Sequence, residues 1–177
     1  MAGVPDGSPS IEPWLAYMRA LLCRDGVDQM RADAELAAAT MPAGSFLHPA
    51  SVLLLGTAHL MAGDPARADV LFEDHIAEGL AVRAMIGPCV ALAQRSLLAI
   101  AGGDWELGGQ YLSEARSLVR EANLGDYPPV AIVHAVAARV ALHQGDRPRA
   151  LVQRHPRGHR MHDRDRGVVP EVGLTGH

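Results

Sequence analysis

The residues best suited to chemistry by type and spacing stand near the C-terminal end. In "RHPRGHRMH", His155, His159 and His162 lie four and three residues apart, which on a helix would align three imidazoles on one face, and zinc favours such clusters. Pro156 and Gly158 fall inside the same stretch and oppose the helix that the alignment requires. Arg154, Arg157, Arg160, Arg164 and Arg166 offer phosphate contacts of the kind nucleic acid accepts. No aromatic residue stands among them for base stacking, and Asp163 and Asp165 dilute the charge.

A second candidate is "FEDHIAE" at 72–78, where His75 and Glu78 share a helix face. Paired carboxylate–histidine motifs hold metals in bundles, but no second copy exists, so the stretch reads as a solvated or partly packed helix face. Cys23 and Cys89 are 66 residues apart inside apolar helical patterns and read as buried free thiols. There is no GxSxG and no GxxxxGK[ST]. The chain is expected to have no catalytic activity and no cofactor.

These residues must be positioned by helices. Apolar residues make up 49% of the chain and aromatics only 4%, with alanine and leucine dominant, as in closely packed helices rather than a sheet. Charge is unevenly placed: residues 1–146 hold nine arginines against seventeen carboxylates, a net of −8, whereas 147–177 carry +4. "MAGVPDGSPSIEP" has neither the basic start nor the apolar stretch of a signal peptide. "VAIVHAVAARVAL", interrupted by His134 and Arg139, is too short to span a bilayer. A soluble cytoplasmic protein without membrane contact is expected.

Self-similarity organises the rest. Gly-Asp recurs at 63–64, 103–104 and 145–146, spaced 40 and 42 residues apart, each time after an apolar helical stretch. Glycine ends a helix in the left-handed conformation, and the following aspartate caps the next one. Small residues stand seven before each glycine (Gly56, Ser96, Ala138) and five after it (Ala68, Gly108, Ala150), so paired antiparallel helices can cross closely. Apolar stripes follow in the second helices, Ala68–Leu71–Phe72–Ile76 and Leu107–Gly108–Tyr111–Leu112–Ala115–Leu118, at helical spacing. A shifted unit precedes them, with Ala20, the turn "RDGVD" and Ala32. Pro42, Pro49, Pro88, Pro128 and Pro129 lie between units, where helices are expected to stop. The fold class expected is all-α: a right-handed α-solenoid of antiparallel helix pairs, about three and a half units over 11–150. Residues 1–10 and 151–177 are expected to be irregular or disordered.

The small-residue pattern resembles the tetratricopeptide repeat, with Phe72 and Leu112 at its large apolar position and without its usual first-helix aromatics. "SIEPWLAYMRALLCRDGVDQMRADAELA", "GTAHLMAGDPARADVLFEDHI" and "RSLLAIAGGDWELGGQYLSEARSLV" further resemble the helical-repeat region of MalT-like regulators of the LuxR family. That resemblance implies a non-catalytic module that takes a signal from a small-molecule effector or a protein partner in a concave groove. The family's ATPase motif and its C-terminal helix-turn-helix are both missing, so no direct DNA binding is expected. Groove positions carried over by register are Leu53, Thr57, Leu60 and Met61, then Ala93, Leu97, Ile100 and Ala101, then Ala135, Arg139, Leu142 and His143. A stand-alone adaptor for a protein partner is the alternative, and metal or nucleic-acid binding by the tail the third.

The repeat register ends abruptly. Positions 153, 154 and 157 should be apolar but are Gln153, Arg154 and Arg157. A buried leucine contributes about 1.5–3 kcal/mol, whereas an unpaired buried charge costs several. Truncation or a frame shift within a longer gene is the expected origin of the tail. The last helix, with Ile132, Val136 and Val140, would then be left bare and prone to self-association.

Overall fold

A computed structural model of the chain describes residues 10–145, apart from 43, 46 and 82. The Arg/His stretch with His155, His159 and His162, the third cap Asp146 and the small residue Ala150 lie outside the described residues. Within them the chain is all-α, with no strand. Seven α-helices run α1 (Glu12–Leu22), α2 (Val27–Thr40), α3 (His48–Met61), α4 (Pro65–Ala81), α5 (Ile86–Ala101), α6 (Trp105–Glu121) and α7 (Ala131–His143), with one 3-10 turn at Pro128–Val130. None of these helices is long and apolar enough to cross a membrane. From α1 to α6, each helix packs chiefly on its neighbours in sequence. Lighter contacts join α1 to α3 and α3 to α5, and α7 lies against both α5 and α6.

The turns follow from the residues that make them. Gly63 and Gly103 have φ of +83° and +89°, a region that costs an L-residue about 1–2 kcal/mol. The Gly63 N–H donates to the Leu60 carbonyl at 3.1 Å and the Asp64 N–H to His59 at 2.9 Å; Gly103 and Asp104 repeat this onto Ile100 and Ala99 at 3.1 and 2.9 Å. Each closed turn leaves its aspartate at the head of the next helix. Asp64 accepts from the Arg67 N–H at 3.1 Å and Asp104 from Leu107 at 2.9 Å, each cap contributing about 1 kcal/mol. α4 and α6 end on the same hydrogen bonds, with Arg83 and Asn123 in the glycine role at φ 57° and 53°. The prolines behave otherwise than expected: Pro49 and Pro88 stand in the first turns of α3 and α5, where a missing N–H costs nothing.

Packing rests on small residues at the crossings. A Cβ on Gly56 would lie 2.7 Å from the Phe72 ring, and one on Gly108 would lie 2.7 Å from Ile100 and 3.1 Å from the Ser96 carbonyl. The Ser96 hydroxyl donates to the Gly108 carbonyl at 2.7 Å. The main core gathers Phe72, Leu92, Ile100, Leu112, Val133 and Val136. That corrects the expectation for α7. Val136 and Val140 are buried and Ile132 packs on the core, because α7 lies in the angle between α5 and α6. Its exposed face is instead Ala135, Arg139, Leu142 and His143. The bare apolar face belongs to α1, where Ile11, Leu15, Met18 and Leu22 are exposed. Cys89 is buried, but Cys23 is only half-buried and ends α1 in the left-handed region, at φ 44°.

Among the described residues, one carboxylate is buried. Asp33 accepts from Arg19 Nε at 2.9 Å and from Gln29 at 3.0 Å, while Arg19 also holds Glu12 at 2.7 Å. Arg19→Ala strands the buried charge, whereas Arg19→Ala/Asp33→Ala removes both partners. The double variant is therefore expected to unfold at higher urea than Arg19→Ala alone. The reverse order would show that the pair is ornamental.

Candidate ligand-binding site

The helix starts converge on a cavity of about 670 Å³, within the range of small-molecule sites. α3 contributes Pro49, Ala50 and Leu53 from its first two turns, and α5 contributes Ile86 and Gly87 from its beginning. The segment after α6 supplies Ala122, Leu124 and Tyr127; α1 supplies Tyr17. From α4 come His75 and Gly79, and the α4–α5 turn places Arg83 there. Gly79 lets the two elements approach, since a Cβ on it would meet the Pro88 ring at 2.6 Å.

His75 is the unusual member. It is 2% exposed, and neither ring nitrogen makes a well-formed hydrogen bond among the described residues, the Pro49 backbone being the polar group that bears on the ring. A buried polar group left so costs about 1–3 kcal/mol, and such groups are rare in folded proteins. Gly87 makes room for it: a Cβ there would lie against Nε2 of the imidazole. Burial pushes the His75 pKa down, offset in part by the Pro49 backbone. Glu73, Asp74 and Glu78, its neighbours in sequence, are all exposed. The imidazole is therefore neither solvated nor paired with Glu78, and no group of three metal-ligating side chains occurs among the described residues. Burial also pushes the Cys89 thiol up to about 11, so it is no nucleophile at neutral pH.

The depressed pKa has a consequence for stability. The unfolded chain binds a proton at His75 near the ordinary imidazole value, about 6.5, while the folded chain resists it. Stability from this group is thus complete above that value. It falls as pH drops below it, by at most about 1.4 kcal/mol per unit, until the folded pKa is reached. Urea unfolding at pH 7.5, 6.5 and 5.5 should show a steeper acid loss in the wild type than in His75→Gln. Equal slopes would mean an exposed or paired imidazole.

Of the residues expected to line a groove, Leu53 lines this cavity. Thr57 is half-buried and its hydroxyl donates back to the Leu53 carbonyl at 2.9 Å. Met61 is exposed, and Leu97 packs on the core. Ala93 and Ile100 are buried and offer no surface. Arg139 is exposed on α7, and the His143 ring stacks on Trp105 at 3.5 Å. The structure does not bring Arg139 or His143 to the cavity. Sequence reasoning missed Arg83, Tyr17 and Tyr127, which stand at or beside turns or on the first helix. The signal for His75 was present, because the helical register placed it where α6 has the buried Ala115. Compared with known proteins, the chain matches no family model, no curated protein and no solved structure.

Proposed function

We propose that the chain is a non-catalytic binding module, a right-handed tetratricopeptide-like α-solenoid whose effector occupies the cavity at His75. The carrying observation is that cavity: about 670 Å³, largely apolar, with a buried imidazole that makes no well-formed hydrogen bond among the described residues. Ligand pockets combine an apolar wall with a few placed polar groups, and Tyr17, Arg83 and Tyr127 stand in this one. The solenoid reading is supported by helices that contact both their neighbours and the next helix but one, and by glycine turns 40 residues apart.

The resemblance to MalT-like regulators gives this module its setting: the signal-receiving part of a LuxR-type transcriptional regulator, with DNA binding left to another domain. A small-molecule effector is favoured over a protein partner because the placed polar groups line a cavity rather than a surface. A thermal-shift screen of chemically varied metabolites tests the site. Compounds that raise the Tm of the wild type and not that of Gly87→Ala support it; hits that ignore the substitution refute it. The setting is tested by sequencing the gene from codon 130 to well beyond codon 177 in all three forward frames. A helix-turn-helix downstream, with apolar residues restored at 153, 154 and 157, supports the regulator reading. Without them, the stand-alone adaptor takes its place.

A further inference from the structure

Charge distinguishes the cavity from the rest of the molecule. Residues 1–146 are acidic overall, yet the lining includes Arg83 and no aspartate or glutamate. Arg83 makes no ion pair among the described residues. Two helix N-termini also open here. α3 and α5 both start without a side-chain cap and without an acidic residue in the first turn. Elsewhere the chain does supply acids to helix starts, as Asp64 and Asp104 show. At α3 the His48 N–H already donates to the Ser45 carbonyl and Pro49 has none, so the open N–H groups and partial positive charge come chiefly from Ile86 and Gly87 at the start of α5. Between these polar features the wall is hydrocarbon, from Leu53, Met85, Ile86 and Leu124.

We propose that the cavity takes a small amphipathic carboxylate, its acid group at Arg83 beside the start of α5 and its apolar body against Leu53, Ile86 and Leu124. The proposal rests on the cavity being the chain's effector site. A carboxylate accepts hydrogen bonds only, which suits the Arg83 guanidinium and the N–H groups at the start of α5. It needs no acceptor from the protein, and the lining offers no carboxylate to oppose it. Arg83 holds its left-handed turn at the cavity rim.

The test uses the full chain and two probes of one shape, octanoate and octanamide, titrated by calorimetry at pH 7. Octanoate is expected to bind about tenfold more tightly, the factor one charge-assisted hydrogen bond supplies. Arg83→Gln, a change at an exposed side chain, should erase that preference while leaving the Tm in place. Gly87→Val should remove binding of both probes. Equal affinity of the two probes, both lost in Gly87→Val, overturns the carboxylate proposal and leaves the cavity as the site. Octanoate binding unchanged in Gly87→Val overturns the proposal by placing the acid elsewhere, such as on the exposed face of α1. Binding of neither probe overturns it as well, and the metabolite screen then decides separately whether the cavity binds anything.

Discussion

Phe72→Ala is expected to destabilise the chain by about 3–5 kcal/mol, a large part of what a domain this size has in hand. The ring is wholly buried and is the largest side chain that is. It sits on Gly56, where a Cβ would lie 2.7 Å from it, so the α3 residue directly against the ring has no side chain to fill the space. The Tm should fall by about 10 °C or more. The same geometry predicts coupling of unusual sign. Gly56→Ala crowds the ring in the wild type and costs about 1–3 kcal/mol, but in Phe72→Ala it fills part of the void and should be neutral or helpful. Additive losses would mean that the ring and the glycine do not meet.

Gly108→Val is the second large effect, about 2–3 kcal/mol. A Cβ at this point meets the Ile100 side chain and, at 3.1 Å, the Ser96 backbone carbonyl. A side chain can turn aside, but a helix backbone cannot without moving α5 from α6. The Ser96 hydroxyl bond to the Gly108 carbonyl at 2.7 Å would be strained or lost, worth about 1 kcal/mol more. Relief from a glycine in a helix interior returns only about 0.5 kcal/mol. Urea unfolding reads the difference, and Ser96→Ala should account for about a third of it. A Gly108→Val variant as stable as the wild type would contradict the close crossing.

How far these features were legible depends on whether they are local. Helix ends could be read from pairs of adjacent residues, because Gly63-Asp64 and Gly103-Asp104 carry both the left-handed turn and the cap within two positions. Close crossings could be read from the small residues Ser96 and Gly108, since their spacing reports on one pair of helices. The end of α7 was misread. Its stripe Ile132–Val136–Val140 is covered by two earlier helices at once, and a repeat pattern encodes only the next neighbour. The buried Asp33 likewise depends on Arg19, fourteen positions away on another helix. Least legible was the cavity, assembled from α1, α3, α4, α5 and two turns. Its polar members share no motif. Only His75 left a trace, an imidazole in an apolar register, which the acidic residues beside it in "FEDHIAE" disguised.

Side-chain nitrogen spectra of the imidazoles, followed from pH 8 to 5 with His75→Gln as the assignment control, test the central claim most directly. The buried His75 should take up its proton below the ordinary imidazole range, burial holding its pKa down. Its ring signals should move when a compound from the thermal-shift screen is added, while His59 and His143 keep theirs. A His75 that takes up its proton at or above the ordinary imidazole value of about 6.5, or that ignores every compound the chain binds, would contradict the account.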